Sequence, residues 1–405
     1  MYFKEIDLTN FRNYENQRID FHHKVNIIIG ENAQGKTNLL EALYIMSLGK
    51  SFRTSKDNEM IRFGSDLARV KTLSEKDGED LSIEIGLIKN KKSLKIDGIK
   101  KSRLSELLEN VYVVIFSPDD LRIVKEEPEK RRKFIDRELC QLKPVYYDSL
   151  SKYKKALSQR NFLLKEERVD LSVLDIWDIE LAKYGAKIIA YRGDFIEKLR
   201  EISRKIHRDL TEGRERLDLH YESDIPLEKN GTTDIPKKDF GIRESFSENS
   251  VPKKQKSALP AEGSSKDITA VRDNFYHILK ESRKNDLKRR TTLRGPHRDD
   301  LRIEIDNIDV RNFGSQGQQR TSALSLKLAE LMLIEEETGE KPILLLDDVL
   351  SELDKTRQRQ LITSFGDVQI FITATELSDE ITSQLEDYAI FTVKKGAVSR
   401  EDCKK

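Results

Sequence analysis

GENAQGKT, Gly30 to Thr37, is the stretch whose reading decides the fold. It fits G-x-x-x-x-G-K-T at every fixed position, the pattern of a loop that cradles phosphates. Its surroundings fit as well. Val25-Asn26-Ile27-Ile28-Ile29 reads as a short buried strand, and Leu39, Leu40, Leu43 and Met46 mark the apolar side of a helix that follows. Gly30 and Gly35 let the backbone approach a ligand closely. The N–H groups of Glu31, Asn32, Ala33 and Gln34, continuing to Asn38 at the helix start, are placed for a β-phosphate. Lys36 supplies a point charge for β/γ oxygens, and Thr37 a hydroxyl for a metal ion. The expected ligands are ATP and Mg2+.

A second element completes such a site. Ile343-Leu344-Leu345-Leu346-Asp347-Asp348 is an apolar run ending in two carboxylates. A buried parallel strand with an acid at its C-terminal end, beside the phosphate loop of the neighbouring strand, is what Mg2+ requires. Asp347 is the expected metal holder, directly or through water, and Asp348 the group that polarises the attacking water.

Ser315-Gln316-Gly317-Gln318-Gln319-Arg320 opens the helix carrying Ala323, Leu324, Leu326, Leu328 and Leu331. Ser315 suits an N-cap and Gly317 permits close approach. By itself the stretch is a weak motif, and a plain capped helix is the favoured reading over a phosphate contact.

The order of these motifs carries a resemblance. A phosphate loop, a late S-x-G-Q signature, and a strand-Asp-Asp followed by Ser351-Glu352-Leu353-Asp354 resemble the heads of ABC-type ATPases. Within that class the chain is similar to the RecF family. The phrases are Asn10-Phe11-Arg12-Asn13-Tyr14, Gly30 to Asn38 with Leu40-Glu41, Ser51-Phe52-Arg53, Phe116-Ser117-Pro118-Asp119-Asp120-Leu121, Gly295 to Leu301, and Ser315 to Thr321. The resemblance implies an α/β fold: an ABC-type P-loop head with mixed and parallel sheet, plus a mainly helical arm. It implies an ATP-dependent homodimer in which Ser315, Gly317 and Gln318 of one copy face the γ-phosphate held by the other. It further implies binding of single-stranded, duplex or gap-junction DNA in replication, recombinational repair and SOS induction. RecR is the implied partner, with RecO in the same pathway, and the implied role is to help load recombinase.

Two departures from a general ABC head bear on turnover. Asp348 stands where Glu is common, and a displacement of about 1 Å in a catalytic group can cost roughly a hundredfold. Thr375 ends a strand where many heads place a switch His. A lid-loop Gln is not assignable. Slow hydrolysis is expected, with ATP acting as a dimer clamp and the chain a weak ATPase.

The composition agrees. The chain has 405 residues, 37% hydrophobic and 36% charged, enough to bury a core while carrying long solvated helices. A net charge of +1 gives no global argument for nucleic acid. Cys140 and Cys403 fit a reduced compartment. The six histidines show no metal-ligand spacing. The start, MYFKEIDL, lacks a signal-type apolar region, and no run approaches the ~18 apolar residues of a membrane span. A cytoplasmic protein without membrane contact is expected.

Three segments are expected: 1–121 as the N-terminal part of the head, 122–290 as the helical arm, and 291–405 as its C-terminal part. Trp177, Leu181, Tyr184, Ile188, Tyr191, Phe195, Leu199, Ile202 and Ile206 step along one long helix, as a coiled-coil seam or a bundle face. Tyr146 to Leu164 is expected to fold back against it. Residues 223–268 hold Pro226, Pro236, Pro252 and Pro260 among Ser, Lys, Glu and Asp, and read as a loosely held insertion. Leu81 to Ile99 reads as antiparallel strands with turns at Asn90 and Asp97-Gly98.

Three basic clusters offer phosphate contacts: Lys89 to Arg103, Lys130 to Lys133, and Arg283 to Arg298. Each is equally compatible with a solvated face. Two other readings share the head class. One is a transport ATPase subunit, for which the span between the motifs is too long. The other is an SMC-like structural tether, for which the arm is too short.

Overall fold

The computed structural model describes residues 1–89, 91–120, 123–226, 265–352, 358, 361, 367–376, 385 and 387–401. Asn90, Leu121, Leu353, Asp354, Cys403 and residues 227–264 of the expected insertion lie outside them.

The chain begins with β1 (Tyr2–Phe11), β2 (Tyr14–Asp20) and β3 (Val25–Ile29), then α1 (Lys36–Leu48). β4 (Leu67–Lys76), β5 (Glu79–Ile88), β6 (Lys91–Ile96) and β7 (Ile99–Lys101) follow, then β8 (Val113–Phe116). The helices α2 (Pro128–Leu142), α3 (Pro144–Leu163) and α4 (Leu171–Leu210) precede β9 (Leu217–Glu222) and α5 (Ser265–Arg289). The last part runs β10 (Asp300–Ile305), β11 (Ile308–Asp309), α6 (Val310–Phe313), α7 (Gln316–Thr338), β12 (Ile343–Asp347), β13 (Ile370–Ala374), β14 (Tyr388–Lys394) and β15 (Ala397–Glu401).

Two compact units emerge: residues 1–147, 198–219 and 303–405, and residues 148–197 with 220–302. Helix α2 and residues 198–219, grouped with the arm in the sequence reading, cluster with the first unit.

The first unit holds two six-stranded sheets. One is antiparallel, in the order β2-β1-β4-β5-β6-β7. Asp97 (φ 50°) and Gly98 (φ 76°) make its β6–β7 turn. The other runs β15-β14-β3-β13-β12-β8, parallel except for β15. Its β8 and β12 are buried at every residue, which is why they read as unbroken apolar runs. Phe3, Phe21 and Phe371 join the sheets edge to face. Gln369 ties them further: its side-chain oxygen accepts from the Phe3 N–H at 2.7 Å, and its amide donates to the Phe3 and His22 carbonyls.

Helix α1 is buried almost all round, so its apolar residues mark no single face. Helix α7 packs on α2 through a buried ionic group. Lys327 donates to Glu330 at 2.5 Å, Arg137 to Glu138 at 2.5 Å, and Asp120 lies 3.7 Å from Arg137. Burial and then the charge of Glu138 hold the Glu330 carboxyl well above the usual range.

The second unit is mainly helical. It holds residues 171–197 of the 40-residue α4, whose remaining turns belong to the first unit. Along α4, Leu181, Ile188, Phe195, Leu199 and Ile202 of the expected residues are buried while Trp177, Tyr184, Tyr191 and Ile206 are half-buried, and the buried stripe also takes in Asp178, Ala182, Ala186, Ile189 and Arg192. That is a bundle face rather than a coiled coil. Arg160 of α3 is fully buried and donates to Asp178 (2.6 Å), Asp286 (2.7 Å) and Thr292 (2.8 Å). Asp286, the acid that interrupts the third basic cluster, is thus spent inside. Residues 295–300 have a structural explanation too. Arg192 bonds Pro296 O and Asp299, and Tyr153 shares a hydrogen bond with His297 at 2.7 Å. The near edge of the insertion is fixed by Asp224, whose carboxylate accepts from Arg294 and the Gly295 N–H.

Candidate nucleotide site

The phosphate loop bridges β3 and α1 with Glu31, Asn32 and Ala33 exposed. Lys36 folds over it, its ammonium donating to Gly30 O at 2.5 Å and Glu31 O at 3.1 Å. Burial pulls the Lys36 ammonium below its ordinary pKa, opposed by Asp348 and Asp347. Ala33 (φ 64°) and Gly35 (φ 124°) take left-handed backbone. A Cβ on Gly35 would stand 2.6 Å from the Asn13 amide, so only glycine fits.

That closeness reveals a support the motif does not mention. Asn13 donates to Gln34 O at 2.7 Å, and Tyr14 to Gly35 O at 3.0 Å. Gln34 Oε1 accepts from the Lys395 N–H at 2.7 Å. Asn38 donates to Asn13 at 2.8 Å and accepts from Arg53 at 2.7 Å. Arg12 grips buried Glu41 of α1 through two hydrogen bonds, 2.8 and 2.6 Å, while Ser51 donates to the same carboxylate. The phrases Asn10 to Tyr14 and Ser51 to Arg53 therefore brace the loop and the helix behind it. The sequence signals the phrases but assigns them no such role.

Thr37 donates to Asp347 Oδ1 at 2.8 Å, bringing together the two residues expected to hold Mg2+. One expectation is corrected. Strand β12 does not neighbour β3, because β13 lies between them. Asp347 reaches across with Thr373 of β13 as its second support, at 3.1 Å. Thr373 also accepts from the Asp348 N–H at 2.9 Å. Asp348 is half-buried at φ 55°, a left-handed conformation that Asp tolerates better than most side chains. Ser351 donates to its carbonyl. Thr375 is exposed at the end of β13.

The donor set fits a hard cation: one carboxylate and one hydroxyl, both oxygen. The carboxylate is only partly compensated, by two hydroxyls. Burial chiefly raises the Asp347 pKa, with the hydroxyls of Thr37 and Thr373 opposing and the charge of Asp348 assisting. A raised carboxyl pKa penalises the folded state once the group ionises. The penalty is absent below the ordinary carboxylate range, grows through the window up to the raised pKa, and is complete above it. Asp347→Asn is therefore expected to stabilise the nucleotide-free chain at neutral pH by on the order of 1 kcal/mol. It should also erase the extra stability conferred by Mg2+ with ATP. Thermal melts with and without Mg-ATP check both.

Ser315, Gln316 and Gly317 are exposed. Ser315 caps α7 in a closed capping box: its hydroxyl accepts from the Gln318 N–H at 3.2 Å, and Gln318 Oε1 accepts from the Ser315 N–H at 2.9 Å. Gln318 Nε2 donates to Glu215 at 3.1 Å. Among the described residues no hydrogen bond joins Ser315, Gly317 or Gln318 to Gly30–Asn38. The structure brings Lys36, Thr37, Asp347 and Asp348 together and leaves the signature as a separate solvent-facing element.

The basic clusters divide. Arg131 is buried and donates to the carbonyls of Ile123, Val124 and Glu126, while Lys130 and Lys133 pair with Glu126 and Glu129. That cluster is largely structural. Lys89, Lys92 and Lys95 pair with Asp66, Asp57 and Glu84. Lys284, Lys288, Arg289, Arg290 and Arg298 are exposed in the second unit. None of these five makes an ion pair among the described residues.

His22, His23 and Asp387 lie close enough to one another to suggest a metal site. The tautomer opposes it. His22 Nδ1 accepts from the Lys24 N–H at 3.2 Å, which places the ring proton on Nε2, 3.0 Å from Asp387. His22 then has no lone pair left for a metal.

With this geometry in place, similarities to known proteins are informative. The family model described as RecF/RecN/SMC N terminal domain matches residues 2–399. The DNA replication and repair protein RecF of Clostridioides difficile (strain 630) is 42% identical over 398 residues, 98% of each chain. Two solved structures of the recombination mediator protein RecF in the RecFOR pathway, one with ATPrS and one with ATP, are each 37% identical. Their TM-scores are 0.83 and 0.82; the first covers 98% of both chains, the second 99% of this chain and 98% of its own.

Proposed function

The chain belongs to the RecF family and has the α/β fold of an ABC-type ATPase head; from that premise we propose that it is an ATP-gated DNA-binding protein of replication and repair. Mg-ATP sits on Gly30 to Asn38, with Lys36 on its phosphates and Thr37 and Asp347 holding the ion. Ser315, Gly317 and Gln318 of a second copy close on the γ-phosphate. One observation carries this reading: the 2.8 Å bond from Thr37 to Asp347 assembles one half of a phosphate site, while the capped signature stands exposed apart from it. Each copy thus carries both halves, with the loop tip Glu31 to Ala33 and the signature turn Ser315 to Gly317 exposed. Asp348 orients the attacking water, and hydrolysis is slow because its carboxylate is short and no imidazole stands at Thr375. The Mg2+ supplies charge neutralisation when bound.

The five exposed cations Lys284, Lys288, Arg289, Arg290 and Arg298 favour phosphate contact in the second unit. They carry no base-reading pattern, so backbone binding is the fitting mode. RecR as partner, RecO in the pathway, recombinase loading, a part in SOS induction and a cytoplasmic location belong to the same reading through family membership. Among the described residues no helix is long and apolar enough to cross a membrane.

Sedimentation tests the proposal directly. The chain should run as a monomer without nucleotide and as a dimer with Mg-ATP. DNA affinity should rise with ATP and fall with salt, with a log–log slope of about −0.9 per phosphate contacted on duplex. Reversing the five cations to Glu should flatten that slope by about 4.5. Equal DNA binding with and without ATP would reject the gate, and an unchanged slope would reject the patch.

A further inference from the structure

We propose that Glu215 is a positioning residue for the signature, fixing the side-chain amide of Gln318 so that the start of α7 is preformed for a nucleotide carried by a second copy. This rests on the reading of the signature given above. Glu215 lies in the short segment between α4 and β9, and that segment is tightly folded. Thr211 N–H donates to His207 O, Gly213 N–H to Arg208 O, and Arg216 exchanges bonds with Asp306. One Glu215 oxygen accepts from Gln318 Nε2 at 3.1 Å. The other lies 3.2 Å from His207 Nε2. His207 is fully buried, and its Nδ1 is 3.0 Å from Ser325 Oγ, further along α7.

The brace has a definite polarity. A glutamine amide can flip, exchanging oxygen and nitrogen. In one orientation the oxygen receives the Ser315 N–H and closes the capping box; in the other an NH2 would face that N–H. A carboxylate opposite Nε2 permits only the first. Glu215 therefore keeps the box closed and the exposed Ser315-Gln316-Gly317 turn in one conformation.

His207 holds the carboxylate in either charge state. Protonated, it donates from both nitrogens while Ser325 donates to Thr321 O at 2.8 Å. Neutral, it keeps the Nε2 proton toward Glu215, and Ser325 turns its hydroxyl to Nδ1. Asp306 is the other acid acting on this ring. The brace is accordingly geometric and does not act as a pH switch.

Sedimentation under Mg-ATP, with nucleotide affinity measured on the unpaired chain, tests this. Glu215→Ala should weaken pairing about tenfold, the scale of a lost hydrogen bond to a charged group, with nucleotide affinity unchanged. Glu215→Gln should pair as wild type, because its oxygen can serve Gln318 and its NH2 can serve His207. The double variant Glu215→Ala with Gln318→Ala should pair no more weakly than Gln318→Ala alone. If Glu215→Ala does not fold, Glu215→Asp, with its carboxylate drawn back by one methylene, replaces it in the comparison. Wild-type pairing by Glu215→Ala, or losses that add in the double variant, would overturn the inference. Ser315→Arg serves as the parallel control. Normal pairing by that variant would count against the shared-site reading itself, and its loss beside an intact Glu215→Ala would count against the brace alone.

Discussion

Ser315→Arg is expected to weaken ATP-driven pairing by at least about a hundredfold, roughly 2.7 kcal/mol. Nucleotide affinity of the single chain should stay within about twofold of wild type. Ser315 is exposed, and its small hydroxyl accepts from the Gln318 N–H at the head of α7. The first N–H groups of a helix approach an anion closely only when nothing stands between. A guanidinium on a long stem fills that approach, and loss of the cap costs about 1 kcal/mol of local stability. The added charge does not restore the contact, because the approach needs backbone and a small side chain. Sedimentation with Mg-ATP measures the pairing, and fluorescent nucleotide titration of the dilute chain measures the other half. Pairing that survives this change would mean that the signature does not face a triphosphate.

Lys36→Met should act one step earlier. It is expected to lower ATP affinity about a hundredfold, the scale of one or two charge-assisted hydrogen bonds lost to phosphate oxygens. Pairing and ATP-stimulated DNA binding should disappear with it. The ammonium rests on Gly30 O and Glu31 O with its charge disfavoured by burial. A triphosphate relieves that disfavour by supplying the counter-charge. Methionine keeps an unbranched apolar stem one atom shorter, so packing against the loop is largely retained and the fold should hold. Calorimetric titration of ATP reads the affinity, and sedimentation the consequence. A variant that lost ATP yet still paired would separate pairing from nucleotide and end the gating proposal. The two substitutions also differ from each other: one removes the occupant of the site and the other removes its far wall.

Much of the proposed nucleotide half-site is legible in the chain because its parts are contiguous. Gly30 to Thr37 must be a loop between a strand and a helix for its N–H groups to converge, and local residue order alone satisfies that. Asp347 is legible as the acid at the end of an apolar strand. Its relation to the loop is not. The expectation that β12 neighbours β3 fails because strand order in a sheet follows from how crossover connections pack, which no short stretch encodes. Thr373 becomes a support for Asp347 only because β13 takes the intervening place. The basic clusters teach the same lesson. Arg131 looks like a surface cation in a run of four basic residues, but it lies buried on three backbone carbonyls.

What the sequence determined by itself was the phosphate loop, the acidic strand end, the capped signature helix and their α/β setting, since each depends on spacing within one turn or one strand. The tertiary structure decided which distant residues hold those motifs in place: Asn13 and Tyr14 on the loop, Thr373 on the carboxylate, Glu215 on Gln318. Hydrogen bonds act over about 3 Å of space whatever the separation along the chain. Partners 21, 26 or 103 residues apart become visible only once the chain has folded around them.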